Sequence, residues 1–206
     1  MPLDWVLFDV GDVLEICDDG EWPRTWSQRF AQSLGIDAGE FEARVAAAEL
    51  PAAQVRDDVE KEYWQLLGDA VGADSVLLDR MVADFWDFYC GEPNTELVQF
   101  ARSLRGTVGV AILSNSGDGA RREEERRYGY SAIFDPICYS HEIGATKPNA
   151  AAYAAALNVM GAAADEVLFV DNAPSCVEGA RQCGIAAVLH EDNETTIAAV
   201  REALRH

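Results

Sequence analysis

The sequence predicts an α/β fold, in which a parallel sheet alternates with helices and a helical bundle is inserted after the first strand. Three observations lead to this prediction. Short apolar runs recur along the chain, helical segments separate most of them, and one long segment near the start lacks a convincing strand. The chain has 206 residues, of which 49% are hydrophobic. That content is enough to bury a core in one domain, or in one domain that carries an insertion.

Five apolar runs are predicted as the strands of the sheet, because each is short and continuous, as in strands buried between layers. The runs are Trp5–Phe8, Val108–Leu113, Val167–Val170, Ala186–Leu189 and, with a weaker pattern, Ile137–Tyr139. Helices between consecutive strands favour parallel pairing. The charged run at 121–127 is predicted as a solvated helix face, since Glu123 and Arg127 have a spacing that favours an ion pair.

Residues 16–91 interrupt this alternation and are predicted to form the inserted bundle. Apolar side chains recur there at helical spacing in four stripes, and Pro23 suits a first helical turn. The stripes are Trp22, Trp26, Phe30 and Leu34; Phe41 and Val45; Val55, Val59, Tyr63 and Leu66; and Leu77, Met81, Phe85 and Phe88. We predict that the aromatic rings form a core rather than a ligand pocket. The sheet domain then comprises residues 1–15 and 92–206, and a helix over about 95–104 leads into the second strand.

The composition bears on partners and location. The chain has 36 Asp and Glu against 16 Lys and Arg, for a net charge of -20. Such a surface repels nucleic acid and anionic lipid, so neither is expected as a partner. It also repels a phosphorylated substrate at long range, so that an anion site must depend on local donors and a bound cation. The 5 cysteines show no paired spacing and the N-terminus no targeting segment, which favours a cytoplasmic location.

Polar side chains follow the predicted strands at the points where the strands end. They are Asp9 after the first strand, Ser114 and Asn115 after the second, Lys147 in the loop after the weaker strand, and Asp171 and Asn172 after the 167–170 strand. The carboxyl ends of parallel strands form one edge of a sheet, and ligands bind at that edge. We therefore expect these side chains to meet in one site.

This set of side chains suits phosphoryl transfer. Two carboxylates can hold Mg²⁺ through hard oxygen ligands, and one of them can attack phosphorus to form an aspartyl-phosphate. A lysine ammonium and a hydroxyl can neutralise and orient the phosphoryl oxygens. The ordered set, more than any single residue, favours phosphoryl transfer with Mg²⁺.

Four segments resemble the four motifs of the haloacid dehalogenase (HAD) superfamily, in the same order and with matching spacing. They are Leu7-Phe8-Asp9-Val10-Gly11-Asp12-Val13-Leu14, Ile112-Leu113-Ser114-Asn115, the stretch 140–148 with Tyr153 after it, and Leu168-Phe169-Val170-Asp171-Asn172. The resemblance covers nearly the whole chain outside the insert, which lies where this family places its helical cap. It implies a Rossmann-like core with a helical cap, and a Mg²⁺-dependent phosphatase that acts on a small phosphorylated metabolite through an aspartyl-phosphate.

The resemblance also implies roles for individual residues. Asp9 would be the nucleophile and a metal ligand, with the Gly11 carbonyl and Asp171 as further ligands. Ser114 would hydrogen-bond the phosphoryl group, helped by the backbone around Asn115. Lys147 would bridge the phosphoryl group and Asp9.

The sequence departs from the family pattern at two motifs. The acid/base Asp that usually stands two residues after the nucleophile is replaced by Gly11, and the acidic Asp12 stands one place late. A subgroup of small helical-capped phosphatases resembles this chain in having Gly at that position, and the loss of the Asp favours substrates with good leaving groups, such as a sugar 1-phosphate. In the fourth motif Asn172 replaces a second Asp, which removes one negative charge from the Mg²⁺ site, and Cys176 stands where Asn is frequent.

Alternative functions stay open on the sequence. A 2-haloacid dehalogenase would use the same scaffold, although Asp171 argues against it. A receiver-like phosphoacceptor domain would carry its acidic pair first in the chain and its lysine last, whereas Asp171-Asn172 comes last in this chain. A catalytically degenerate HAD protein that binds a ligand or a partner is compatible with Gly11, Asn172 and Cys176. The oligomeric state is not predicted.

The substrate contacts of the insert are predicted from its first residues. Asp18, Asp19, Trp22 and Arg24 come just after the first motif and are expected at the mouth of the site. Arg24 in particular is expected to contact an anionic or hydroxyl-rich substrate.

Overall fold

The computed structural model describes residues 2–18 and 20–205 and confirms the α/β class, with helices flanking a five-stranded parallel sheet. The strands are β1 Trp5–Phe8, β2 Glu15–Ile16, β3 Glu92–Pro93, β4 Gly109–Ser114, β5 Ile137–Tyr139, β6 Val167–Asp171 and β7 Ala186–Leu189. The helices are α1 Trp22–Leu34, α2 Ala38–Ala47, α3 Glu60–Val71, α4 Ser75–Cys90, α5 Thr95–Leu104, α6 Ala120–Tyr128, α7 Ser140–Ile143, α8 Ala150–Met160, α9 Pro174–Gln182 and α10 Asn193–Ala203.

The sheet has the strand order β5-β4-β1-β6-β7, so that β1 lies in the middle. Trp5 of β1 is in register with Gly109 of β4 on one side and with Val167 of β6 on the other. The chain thus adds strands first on one side of β1 and then on the other. This change of direction opens a crevice at the carboxyl end of β1.

The two faces of the sheet are both covered by helices, which explains why its strands are continuously apolar. In β1, Val6 and Phe8 pack with residues of α5 and α10, whereas Leu7 packs with residues of α8 and α9. Each of these three side chains is fully buried, and burial of a large apolar side chain contributes about 1.5–3 kcal/mol. The resulting three-layer core holds the sheet edge in a fixed geometry.

Several helices begin at a side chain that caps the free backbone amides of the first turn. The capping residues are Asp37 for α2, Asp74 for α4, Asn94 for α5, Asn149 for α8 and Asp192 for α10. In each case the side-chain oxygen accepts a hydrogen bond from a backbone amide two or three residues on. Part of the acidic composition is therefore used to start helices.

Helices α1–α4 lie between the paired strands β2 and β3, and we refer to them as the insert. Their own core is formed by Trp26, Phe30, Ala31, Phe41, Trp64, Leu67, Val71 and Met81. At the end of α4 the chain returns beside β2 at Gly91, which has φ 59°, and a Cβ there would lie 2.3 Å from the carbonyl oxygen of Ile16. Only glycine allows this close approach.

Charged contacts join the insert to α6 and the loop before it. Asp118 Oδ2 accepts hydrogen bonds from the backbone amides of Val59 and Glu60 at 2.7 and 2.6 Å, at the start of α3. Arg122 pairs with Glu60 at 2.7 Å, and Arg127 pairs with Asp87 of α4 at 2.6 Å. The insert is therefore held over the carboxyl ends of the strands.

The structure corrects some predicted details. The third apolar stripe is not one helix, because Val55 lies in a turn and α3 begins only at Glu60, after Asp58 with φ 60°. Leu66 of the same stripe is 38% exposed rather than part of the core. In the charged run, Glu123 and Arg127 do pair, but the neighbouring Glu124 is fully buried. Periodicity alone does not show which neighbour covers a helix face.

No helix within residues 2–18 and 20–205 is long and apolar enough to cross a membrane.

Candidate active site

The crevice at the carboxyl end of β1 contains a cavity of about 350 Å³, which we call the carboxylate pocket. The described residues that line it are Asp9, Val10, Gly11, Glu15, Gly20, Tyr89, Ser114, Asn115, Lys147, Asn172, Ala173 and Cys176. Strand ends of β1, β4 and β6 bring most of these residues together. Five of the side chains expected at the sheet edge line the pocket, and the sixth, Asp171, contacts Lys147 directly.

Lys147 lies between two carboxylates. Its Nζ is 2.6 Å from Asp9 Oδ1 and 2.7 Å from Asp171 Oδ2. Lys147 is 4% exposed and Asp171 is fully buried, so little water screens these charges. The other oxygen of Asp171, Oδ1, accepts a hydrogen bond from the Ala173 amide at 2.7 Å. The three charged groups thus form one buried ion-pair network.

Burial and charge shift the pKa values in this network. Burial raises the pKa of Asp9 to about 7, with Lys147 opposing the shift and Asp171 adding to it. Burial also acts to lower the pKa of Lys147, but the two carboxylates outweigh it and raise that pKa. Lys147 therefore stays charged, whereas Asp9 is poised between its ionised and neutral forms near neutral pH.

The loop that carries Lys147 is held by its neighbours. The Asn115 side chain forms a reciprocal pair with the Lys147 backbone, since Nδ2 donates to the Lys147 carbonyl at 2.9 Å and Oδ1 accepts from the Lys147 amide at 2.8 Å. Behind the loop, a Cβ at Gly179 would lie 2.9 Å from Pro148. The absence of a side chain at Gly179 lets α9 pack closely against this loop. Asn115 therefore positions Lys147 in addition to lining the pocket.

Ser114, Gly11 and Asn172 surround the carboxylates. Ser114 is the last residue of β4 and is 2% exposed, at the edge of the pocket. Gly11 and Asn172 line the same pocket from the loops after β1 and β6. Oxygen atoms of these loops are suited to a hard cation.

The loop after Asp9 carries acidic side chains, but none at the position two residues on. Gly11 offers no side chain, and Asp12 has φ 51° and is not among the described residues that line the pocket. Asp12 Oδ1 accepts hydrogen bonds from the amides of Cys17 and Asp18 at 3.1 and 2.8 Å, so it holds the turn that leads into the insert. Glu15, which no sequence pattern singled out, is 1% exposed and lines the pocket from β2.

The residues expected at the mouth of the site lie in different places. Arg24 pairs with Glu21, both side chains are more than half exposed, and Arg24 is not among the described residues that line the carboxylate pocket. Trp22 lines a second cavity beside that pocket. Asp19 lies outside the described residues. The structure therefore does not bring Arg24 to the carboxylate pocket, because the first turn of α1 directs it to solvent beside its own acidic neighbour.

This second cavity has a volume of about 540 Å³, and we call it the aromatic chamber. Tyr89 and Asn115 line both cavities. The other described lining residues are Trp22, Pro23, Pro51, Ala52, Ala53, Gln54, Val55, Glu60, Tyr63, Trp64, Phe85, Trp86, Ser116, Gly117, Asp118 and Thr146. Part of the aromatic stripes therefore lines a cavity as well as packing against the core of the insert.

A separate group of possible metal ligands lies beside the chamber. Ligand atoms of Asp57, Asp118 and His141 all lie within 4.8 Å of one another. His141 Nδ1 contacts Ser116 Oγ at 2.8 Å, and Asp118 already caps α3. Neither Asp9 nor Asp171 belongs to this group.

Comparison with known proteins gives relatives along most of the chain. A family model described as haloacid dehalogenase-like hydrolase matches residues 3–184. A protein of Mycobacterium tuberculosis that is named a phosphatase is 26% identical over 194 residues, which are 92% of this chain and 88% of that protein.

Solved structures share the fold. A HAD family enzyme from Bacteroides thetaiotaomicron, solved as a magnesium complex, has a TM-score of 0.77 at 17% identity and covers 96% of this chain and 99% of its own. A 2-haloacid dehalogenase from Pseudomonas syringae has a TM-score of 0.69 at 21% identity, over 98% of both chains. At these identities the likeness establishes the fold and leaves the choice of substrate to the chemistry of the site.

Proposed function

The chain belongs to the haloacid dehalogenase-like hydrolases, and from this premise we propose that it is a Mg²⁺-dependent phosphatase of small phosphate esters with Asp9 as the nucleophile. The observation that carries the proposal is the buried Lys147 ammonium, held at 2.6 Å from Asp9 and 2.7 Å from Asp171. A cation fixed beside a nucleophilic carboxylate is suited to a dianionic phosphoryl group.

The donor set around Asp9 fits Mg²⁺. Asp9 and Asp171 carry two negative charges when ionised and Lys147 supplies one positive charge, so these three side chains keep a net negative charge. The carboxylates, the Gly11 carbonyl and the Asn172 amide oxygen are the hard ligands that Mg²⁺ prefers, and we propose that they hold it. When bound, the ion would neutralise the phosphoryl oxygens and favour ionised Asp9. Asn172 supplies an amide where a second carboxylate would bind more strongly.

Asp9 supplies the nucleophile in this proposal. A carboxylate oxygen of Asp9 attacks phosphorus, the phosphorus–oxygen bond to the leaving group breaks, and its electrons pass to the leaving-group oxygen. Water then attacks the phosphorus of the aspartyl-phosphate, which releases inorganic phosphate and restores the Asp9 carboxylate. Lys147 stays charged throughout, because its raised pKa keeps its proton. Ser114 at the end of β4 hydrogen-bonds a phosphoryl oxygen.

The leaving group receives no proton from a side chain at position 11 or 12. Gly11 has none, and the Asp12 carboxylate is bound to the backbone amides of Cys17 and Asp18. In this proposal the leaving-group oxygen departs as an anion and takes its proton from solvent. Good leaving groups are therefore favoured.

A 2-haloacid dehalogenase function is less well supported. Such an enzyme displaces halide by the same carboxylate attack but binds no phosphoryl group with a metal ion, so it does not need a second carboxylate as a metal ligand beside the nucleophile. Asp171 is fully buried and bonded to Lys147 and to the Ala173 amide. The phosphatase name of the Mycobacterium tuberculosis relative and the magnesium complex of the Bacteroides thetaiotaomicron enzyme also support the phosphatase proposal.

The proposal is tested by measuring phosphate release from p-nitrophenyl phosphate and acetyl phosphate, with Mg²⁺ and with a chelator. We expect turnover that requires Mg²⁺ and that falls roughly 10⁴-fold or more in Asp9→Asn, since loss of a nucleophile removes the covalent route. Asp4→Asn is the matched control, because Asp4 is exposed just before the other end of β1. It should retain full activity.

Three results would contradict the proposal. They are turnover that persists after Mg²⁺ is chelated, turnover that survives Asp9→Asn, and no phosphate release from either compound. Halide release from a 2-haloacid by the same preparation would instead support the dehalogenase alternative.

A further inference from the structure

The aromatic chamber adjoins the pocket of the proposed nucleophile. Tyr89 at the end of α4 and Asn115 after β4 line both cavities, so the chamber is the space next to a phosphoryl group bound beside Asp9. At about 540 Å³, the chamber is within the usual range of small-molecule sites. The chemistry of its walls therefore bears on which ester the enzyme accepts.

One wall of the chamber is a cluster of aromatic rings with Phe85 at its centre. The ring centroid of Phe85 lies 5.1 Å from that of Trp22, 4.9 Å from that of Trp64 and 5.1 Å from that of Trp86. The three pairs meet edge to face, at interplanar angles of 80°, 74° and 87°. Such pairs are a favoured arrangement of aromatic rings, so the cluster forms a wall of defined shape.

The rings of this wall differ in burial. Trp64 and Trp86 are 7% and 3% exposed, whereas Trp22, Tyr63 and Phe85 are only half-buried although they line the same cavity. All three also pack against the core of the insert, and the part of each ring that stays in water would gain free energy on being removed from it. The exposed ring surface beside a reactive site is suited to a further aromatic ring that packs against it.

The two acidic side chains of the chamber already have partners in the protein. Among its described lining residues the acidic side chains are Glu60 and Asp118, and none is Lys or Arg. Glu60 pairs with Arg122 at 2.7 Å, and Asp118 accepts two backbone amides at the start of α3. A second phosphate on the substrate would meet no lysine or arginine among these lining residues, and a cationic group would compete with Arg122. The chamber therefore favours a neutral leaving group.

The aromatic wall itself offers few hydrogen-bond partners, although the rest of the lining includes Gln54, Asn115, Ser116 and Thr146. Trp86 Nε1 already donates to Glu60 Oε1 at 3.2 Å, and the segment 51–53 lines the cavity without polar side chains. Sugar hydroxyl groups that lose water on binding need hydrogen-bond partners in exchange. An apolar ring has no such need.

On these grounds, and resting on the proposed phosphatase function, we propose that the substrate is a monophosphate ester of a neutral phenol, whose ring packs in the aromatic chamber. The missing proton donor at Gly11 agrees with this class. A phenol is a stronger acid than an aliphatic alcohol, with a pKa of about 10 for the tyrosine side chain, so its anion departs without a donated proton.

The test compares 2-naphthyl phosphate, glucose 1-phosphate and acetyl phosphate as substrates of the full chain with Mg²⁺. We expect kcat/KM for 2-naphthyl phosphate to exceed that for glucose 1-phosphate by about 10-fold or more. Trp22→Leu and Tyr63→Leu should lower kcat/KM for 2-naphthyl phosphate by about 10-fold and leave acetyl phosphate, which has no ring, nearly unchanged. Leu66→Ala is the matched control on α3, since Leu66 is 38% exposed and not among the described lining residues.

A binding measurement separates this proposal from the proposed function. Equilibrium dialysis of 2-naphthol with the wild-type chain and with Asp9→Asn needs no turnover, and we expect binding that Trp22→Leu weakens. Three results would overturn the aromatic substrate. One is the absence of 2-naphthol binding, and another is a higher kcat/KM for glucose 1-phosphate than for 2-naphthyl phosphate. The third is a fall in kcat/KM for acetyl phosphate, in Trp22→Leu and Tyr63→Leu, as large as the fall for 2-naphthyl phosphate. Binding without any phosphate release would retain the aromatic site and overturn the phosphatase function.

Discussion

The sheet edge and the insert build two adjoining cavities by different means. At the sheet edge, charged groups are placed by strand ends, and Lys147 and Asp171 are 4% and 0% exposed in a closed ion-pair network. In the insert, the cavity wall consists of apolar rings, such as Trp22 and Phe85, whose positions depend on how four helices pack. The first cavity is suited to hold a charged group and the second to hold an apolar one.

The side chains of the two cavities are held in position in different ways. Asp9 and Asp171 stand at the ends of β1 and β6, and Lys147 lies in a loop tied to the residue after β4, so the backbone of the sheet sets the positions of these three charges. The rings of the insert do not follow strands of the sheet, and their contacts with one another set their positions. Changes at the sheet edge should therefore act through charge, and changes in the insert through packing.

The largest effect on stability and activity together is expected for Lys147→Met. It leaves the buried carboxylates of Asp9 and Asp171 without their ammonium, and removal of one partner from a buried ion pair costs about 3–5 kcal/mol. Phosphate release should fall roughly 10²–10³-fold as well. Lys61→Met is the control, since Lys61 is the other lysine of the chain and is exposed. Urea unfolding measures the difference in unfolding free energy between the two variants. Equal values would contradict the expectation that charge interactions stabilise the sheet edge.

If packing holds the insert together, Trp26→Ala should lower the free energy of unfolding substantially. Trp26 is 6% exposed and its Nε1 donates to the Met81 carbonyl at 3.0 Å, and truncation of a buried tryptophan costs about 3–5 kcal/mol. Val76→Ala on α4, where Val76 is 70% exposed, should cost little. Amide hydrogen exchange would show which part of the molecule is destabilised. We expect weaker protection of the amides in α1–α4, and weaker protection confined to the sheet would refute this expectation.

A pH effect is expected from Glu124, whose burial raises its pKa from 4.5 to about 8. Between those two values the unfolded chain is ionised at this residue and the folded chain is protonated, so the unfolded state binds fewer protons and the unfolding free energy falls as pH rises. Glu124→Gln should remove this dependence, which amounts to a few kcal/mol at most. The exposed Glu62→Gln serves as control. Unfolding at pH values across that window measures both slopes, and parallel slopes in wild type and Glu124→Gln would be inconsistent with a buried, protonated carboxyl.

The smallest effect is expected at Asp12, where the two regions join. Asp12→Ala removes the acceptor for the amides of Cys17 and Asp18 and places alanine at φ 51°, which should cost about 1–2 kcal/mol. Asp12→Asn keeps an acceptor oxygen and should be almost as stable as the wild type. Because the proposed mechanism takes no proton from Asp12, Asp12→Asn should also retain its phosphatase rate. A loss of about 10²-fold or more would identify Asp12 as a general acid.

The sheet could be predicted in detail because its strands are short apolar runs, and the central strands β4, β1 and β6 are buried between two helical layers. Their continuous apolar runs mark β1, β5 and β7 at their observed bounds, and β4 and β6 to within one residue. The residues that follow the strands could be named in advance, since parallel strands bring their carboxyl ends to one edge. Glu15 was missed because it belongs to the two-residue strand β2, which has no apolar pattern of its own.

The fold class, the strands and the residues at the sheet edge thus follow from the amino-acid pattern, because short-range periodicity and strand ends carry that information. Tertiary packing was needed to show that Trp26 is core while Trp22 lines a chamber, that Glu124 is buried, and that Arg24 faces solvent. Helical spacing shows on which face of its helix each of these residues lies. Which element covers that face depends on contacts between segments far apart in the chain.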